Sequence, residues 1–183
     1  MTDEAGKPLR KPPRQVTTAY LQRAALAYLE RYASSAENLR RVLRRKVSNR
    51  CRLRGEDPAA FQDMIDEVVA KSLRSGLIDD TRYAEARVAT LRRRGGSARA
   101  IQAKLSAKGV DRTTIAAALE GEDGDEEQAA RAFARRRKLG PFRPGERASY
   151  RDKDLAAMAR AGFRFDVARS IVDGDRDDEP DEA

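Results

Sequence analysis

The 183-residue chain has no histidine, no tryptophan and a single cysteine, and it lacks a glycine loop of the Walker type. With the usual zinc-binding residue types nearly missing, a zinc site is effectively excluded. The same scarcity argues against catalysis, because the inventory for a nucleophile, a general base, a metal cluster or a phosphate-cradling loop is poor. Cys51 cannot close an intramolecular disulfide; it fits a reducing compartment and reads as a small, inert side chain. Residues 1 to 15 place Lys7, Arg10, Lys11 and Arg14 among prolines, without the ~7 to 15 apolar residues a secretory signal needs. No other stretch is apolar enough to span a membrane, so a soluble, cytoplasmic protein without membrane contact is expected. No run alternates β-branched and polar residues, which makes the class all-α.

What the chain does have is repetition. Leu39, Leu43 and Lys46 return as Ile101, Leu105 and Lys108, each 62 residues later, and at the same offset Leu21, Leu29 and Ser35 return as Tyr83, Leu91 and Ser97. A looser third copy lies 53 residues beyond Leu105, Gly109 and Val110, at Met158, Gly162 and Phe163. Neither offset fits the 34-residue tetratricopeptide period. A helical unit that recurs without recurring catalytic residues points to stacking and surface display. At this length the chain makes one elongated body or a few small ones. Each unit of about 50 to 60 residues has little core of its own and should lean on its neighbours.

The helices can be placed from their caps and stripes. Thr17 or Thr18 caps a first helix through Leu21, Ala25, Tyr28, Leu29 and Tyr32, and Ser34 and Ser35 break it and cap the second. Pro58 suits a first turn, after which Phe61, Met64, Ile65, Val68, Val69 and Leu73 form the clearest amphipathic stripe. Gly76 looks like a C-terminal cap with Leu77 as its apolar follower, and Asp79 or Asp80 caps a fourth helix carrying Tyr83, Ala84, Val88 and Leu91. Gly95 and Gly96 end it, Ser97 starts a fifth that closes at Gly109, and Asp111 starts a sixth through Ile115 and Leu119. Glu120 to Glu127 reads as a linker into a seventh helix, Glu126 to Leu139, followed by a loop with Gly140, Pro141, Pro144 and Gly145. Two last helices cover about Ser149 to Ala161 and Phe165 to Val172, packing Leu155, Met158, Phe163, Ile171 and Val172. The expected boundaries are a disordered basic arm over 1–15, repeats over 16–76, 77–120 and 121–172, and a disordered acidic tail over 173–183.

The remaining signal is positive charge. A net charge of +8 and a pI near 9.9 imply attraction to polyanions or to acidic protein surfaces. Leu39 to Arg54 holds eight basic residues and no acidic one, and at about 100° per residue its apolar side chains fall opposite Arg40, Arg41, Arg44 and Arg45. Lys46 falls on the apolar side and would have to snorkel. Further clusters are Arg92, Arg93 and Arg94, then Lys104 and Lys108, then Arg135, Arg136 and Arg137 with Lys138. Arginine offers planar two-pronged bonds to phosphate or carboxylate, whereas a merely solubilising surface works as well with lysine and mixed signs. The competing reading, simple solvated faces, explains such a lopsided segment less well. The pairs Asp79/Asp80 and Asp63/Glu67 read as a helix cap and a solvent face rather than as acid and base. Most of the five tyrosines and five phenylalanines occupy stripe positions, so stacking on unpaired bases is not indicated, Tyr150 being the exception.

The segment Ser75-Gly-Leu-Ile-Asp-Asp-Thr-Arg-Tyr-Ala84 resembles the GL-[IL]-DD-x-R-[FY]-A stretch of the RecX regulators of the RecA recombinase. Ile101-Gln-Ala-Lys-Leu-Ser-Ala-Lys-Gly-Val110 is also similar to that family, and Ala134 to Gly140 and Met158 to Phe163 resemble its third unit. The likeness covers roughly residues 20 to 172. It implies three tandem three-helix repeats in an elongated, curved array, lying along the groove of a RecA filament on single-stranded DNA. It also implies inhibition of ATP hydrolysis, strand exchange and co-protease action. A monomer with no cofactor is expected. Two segments depart from the family pattern: the second helix runs on through Ser48 to Gly55 where a Lys/Arg-Gly turn is usual, and the Gly140 to Ala148 loop is extended. The alternative is an autonomous DNA- or RNA-binding protein with helix-turn-helix-like units. A third possibility is a neutral helical scaffold.

Overall fold

The computed structural model describes residues 13–120 and 126–175, and among these it contains nine α-helices and no strand. The helices are α1 (Thr18–Leu29), α2 (Ala36–Arg54), α3 (Gln62–Arg74), α4 (Asp80–Arg93), α5 (Ala98–Ala107), α6 (Arg112–Glu120), α7 (Glu126–Arg137), α8 (Arg151–Arg160) and α9 (Phe165–Asp173). Single 3-10 turns at Pro58–Phe61, Gly140–Phe142 and Ala148–Tyr150 lead into or between them. Among the described residues no helix is long and apolar enough to cross a membrane. The arm through residue 12, linker residues 121–125 and the tail from residue 176 lie outside the described residues.

The chain divides into two compact units between Asp79 and Asp80. In the first, α1, α2 and α3 bury Leu21, Leu39, Leu43, Val47, Ile65 and Val69 in one core. The second holds two apolar clusters. One is built on α4, α5 and α6 around Val88, Ile101, Leu105 and Ile115; the other on α7, α8 and α9 around Ala130, Met158, Phe163 and Ile171.

The sequence repeat is a repeat of cap geometry. Ser35 and Ser97 are both fully buried, and each hydroxyl accepts the amide three residues on, from Asn38 and Ala100, at 3.2 Å. Gly109 and Gly162 both adopt the left-handed conformation, and the following amides, Val110 and Phe163, return to Leu105 and Met158 at 3.2 Å in both cases. This 6→1 closure ends a helix and turns the next apolar residue into the core. In the first unit the position matching Gly109 is Val47, which carries a Cβ and stays helical. Hence α2 runs 19 residues against 10 for α5 and for α8, stopping at the left-handed Gly55.

Three local expectations need correcting. Leu77 is 52% exposed, and the apolar follower of Gly76 is Ile78, whose amide reaches the Ser72 carbonyl at 3.2 Å and whose side chain is buried. Leu73 is likewise exposed; the buried position of that turn is Ser72, its hydroxyl satisfied by the Val68 carbonyl at 2.9 Å. Asp173 belongs to α9 rather than to a tail, because Arg151 grips its two carboxylate oxygens at 2.7 Å.

Candidate basic interface

The arginine face of α2 is largely answered by acids of its own unit. Arg40 bonds Asp66 at 2.6 Å and Glu37 at 2.5 Å, Arg41 reaches Glu37 at 3.3 Å, and Arg44 lies 3.8 Å from Glu37 while donating to Gln62 at 2.9 Å. Gln62 in turn donates to Asp66 at 2.6 Å. Burial raises the Glu37 carboxyl, but bonds and charge from Arg40 and Arg41 outweigh it and hold the group below its usual range. The Gln62 bond, then Arg40, lower Asp66 in the same sense. Sequence reasoning saw the basic run and missed this network, since Asp66 lies a full helix away from Arg40. Arg45, Lys46 and Arg52 point to solvent and pair with no carboxylate among the described residues. Arg50 and Arg54 donate to the Arg14 and Pro13 carbonyls, both at 2.9 Å, and Arg50 also stacks 3.8 Å over the Tyr20 ring. Pro13 and Arg14, expected in a loose arm, are therefore tied to α2.

In the second unit the nominated cations separate into internal and exposed. Arg92 is not a surface group: its side chain is 10% exposed, it pairs with Glu126, and it donates to the Gly96 carbonyl at 3.3 Å. Glu126 also accepts the Ala98 amide at 3.1 Å, so one carboxylate joins the end of α4, the start of α5 and the start of α7. Nearby, the Ser97 hydroxyl donates to the Ala161 carbonyl at 2.7 Å. A Cβ on Gly95 would sit 2.6 Å from the Phe133 backbone nitrogen. These contacts hold the two clusters of the second unit together. Arg93, Arg94, Lys104, Lys108, Arg135, Arg136 and Arg137 are exposed.

Arg136 and Arg137 meet a partner that sequence reasoning did not nominate. With Phe133 they line one wall of a cleft of about 440 Å³, and Ala157, Arg160 and Ala161 of α8 line the other. Both walls are i, i+3, i+4 sets, the spacing that puts three side chains on one helix face. Arg160 was legible only as one cation in a helix end. Its facing position depends on how α7 and α8 are each set against α9.

A second missed feature is Asp154. It is 2% exposed, accepts the Gly140 amide at 2.8 Å, and is gripped by both Nε and Nη2 of Arg143, so the extended loop is fastened to α8. The Asp154 carboxylate holds the Arg143 guanidinium above its usual range. Tyr150, singled out as a possible stacking residue, is occupied by Arg143 at 4.3 Å and Lys153 at 5.0 Å from its ring centre. Among the described residues no group of histidine, cysteine and acidic side chains could hold a metal ion.

Fold and surface together define an all-α protein of repeated helical units carrying exposed arginine. Residues 79–119 match the family model described as RecX, second three-helix domain. The chain is 42% identical over 167 residues to the Regulatory protein RecX of Myxococcus xanthus, covering 89% of each, and 32% identical over 155 residues to that of Agrobacterium fabrum, covering 84% and 82%. It therefore belongs to the RecX family of regulatory proteins. The crystal structure of RecX from Lactobacillus salivarius superposes with a TM-score of 0.62 over 85% of this chain and 94% of that one, at 22% identity, and shares the all-α repeat fold.

Proposed function

We propose that this protein is a non-enzymatic regulator of homologous recombination and DNA repair that binds the RecA filament on single-stranded DNA and restrains its ATPase, strand-exchange and co-protease activities. The observation that carries the reading is the 42% identity to a regulatory RecX protein across 89% of both chains. Its physical support is arginine exposed on both compact units, in Arg45 of the first and in Arg93, Arg136 and Arg137 of the second. The modules over 16–76, 77–120 and 121–172 act as linked contact points, and linking weak contacts raises avidity by ~10² to 10⁴ over any one of them. A filament that must change shape to turn over nucleotide is slowed when its protomers are bridged, without any contact to the nucleotide. The protein works as a cytoplasmic monomer with no cofactor.

DNA-stimulated ATP hydrolysis by the cognate recombinase, with and without the protein, tests this: inhibition is expected, and unaltered turnover at saturation refutes it. If about six cations meet single-strand phosphates, binding should fall with salt at a log-log slope near −4, about 0.7 per phosphate. A flat response would remove the basic faces from the contact. Tight binding to naked nucleic acid with no effect on the recombinase would favour an autonomous nucleic-acid-binding protein.

A further inference from the structure

We infer that the α7–α8 cleft of the second unit is a phosphodiester site, in which Arg136, Arg137 and Arg160 hold successive backbone phosphates of a single nucleic-acid strand. This deepens the reading above by naming what one basic patch grips, and it rests on that reading only for its biological setting.

Three observations carry it. First, the charge is uncompensated. Among the described residues no carboxylate pairs with Arg136, Arg137 or Arg160; Arg136 donates to the Arg94 carbonyl at 2.6 Å and its guanidinium lies 5.9 Å from the Phe133 ring centre. The α2 arginines show what this chain does when such side chains serve its own fold: it sets Glu37 and Asp66 among them.

Second, helix-end electrostatics do not account for the number of cations. Both α7 and α8 finish here, and each C-terminus carries about −0.5 charge, so three guanidinium groups against two helix ends leave about +2. One arginine would have satisfied both ends.

Third, the surface is concave. Ala157 and Ala161 keep the α8 wall low opposite the half-buried Phe133 ring, giving a space of about 440 Å³, inside the ~300 to 1,000 Å³ range of ligand sites. A single carboxylate from a folded partner is far too small to fill that space or to occupy three two-pronged donors. A flexible strand can lay consecutive phosphates along both walls, each offering two non-bridging oxygens to one guanidinium. The Phe133 ring then faces sugar carbons. Recognition by phosphate alone is blind to base sequence.

The test uses the full chain and a fluorescein-labelled oligothymidylate followed by anisotropy. Arg137→Ala and Arg160→Ala should each weaken binding by about five- to tenfold, as expected for losing a charge-assisted bond. The double variant should lower the log-log salt slope by about 1.4, two phosphates' worth. Arg87→Ala, at an exposed arginine of α4 that does not line the cleft, is the comparison and should change affinity by less than about twofold. Alanine is a better helix former than arginine, and unchanged helicity by circular dichroism excludes unfolding as the cause.

An abasic oligonucleotide should compete as well as oligothymidylate. Failure of that competition overturns the phosphate assignment. Inorganic tripolyphosphate competing equally well would assign the cleft to free polyphosphate, and poly-glutamate competing equally well would assign it to an acidic protein surface; either overturns the strand. Wild-type binding that the double variant leaves unmoved, or no binding of the strand at low salt, also overturns the proposal. The regulatory reading fails on a separate result, wild-type protein without effect on recombinase turnover.

Discussion

Helix α2 and the α7–α8 pair hold similar densities of arginine and put them to opposite uses. On α2, Glu37 and Asp66 take up Arg40, Arg41 and Arg44, so a run that looks uniformly cationic in the sequence is in good part an ion-pair network. On α7 and α8 the guanidinium groups line a concavity and, among the described residues, no carboxylate pairs with them, while two acids of that unit are engaged by other arginines, Glu126 by Arg92 and Asp154 by Arg143. Arginine content and available positive charge are therefore different quantities. Packing decides which acids stand next to which cations.

The largest expected effect probes how the second unit is joined. Gly95→Ala combines a left-handed φ of 72° with a Cβ driven into the Phe133 backbone, and should cost about 3 kcal/mol or more in urea unfolding. Gly55→Ala in the first unit has nearly the same φ, 69°, but nothing within 4 Å, and should cost only about 1 kcal/mol. Equal losses would mean that α7 is not pressed against the end of α4. Next, Arg92→Ala leaves Glu126 without its guanidinium in a largely buried setting and should cost about 2 kcal/mol, below the ~3 to 5 of a fully buried pair. Its neighbour Arg93→Ala should stay within about 0.5 kcal/mol. A reversed order would put Arg92 back on the surface.

The smallest effect is the most direct comparison of the two arginine sets. Replacing both acids, Glu37→Gln with Asp66→Asn, frees the α2 cations. It should raise affinity for a single-stranded oligonucleotide by about two- to threefold while changing stability by less than about 1 kcal/mol, as for exposed pairs. The same variant has a pH signature. Both carboxyls sit below their ordinary values in the folded chain, so their contribution is present above about pH 4 and is lost as pH falls through the lowered folded values. Urea midpoints measured from pH 6 downward should fall less steeply in the double variant. Identical slopes would show that the network contributes nothing to acid sensitivity.

These contrasts also mark what can be read from sequence alone. Helix starts were legible because capping is local: Thr17, Ser35, Ser97 and Asp111 each stand at a helix start and each accepts the amide three residues on. The repeat was legible for the same reason, since glycine turns at Gly109 and Gly162 are set by φ and not by distant neighbours. Within a turn, the phase was harder to read. Leu73 outranks Ser72 in hydropathy, and Leu77 and Ile78 are about equally apolar, yet Ser72 is the buried one of the first pair and the left-handed residue at 76 rotates Ile78 rather than Leu77 inward. The site was the least legible. Arg92 and Glu126 lie 34 positions apart, Arg40 and Asp66 lie 26 apart, and the facing of Arg160 toward Arg137 arises from packing between helices. Nothing in a one-dimensional charge pattern encodes those meetings.

Cys51 gives the first unit a built-in reporter. Its sulfur is wholly enclosed in the α2 core, and burial, reinforced by Glu56 and Asp57, pushes the thiol up, so it resists alkylation while the three helices stay closed. Because it is the chain's sole thiol, the rate at which a maleimide modifies the intact protein measures how often this unit breathes open, with no label engineered in. The second unit, devoid of sulfhydryls, stays silent in that signal.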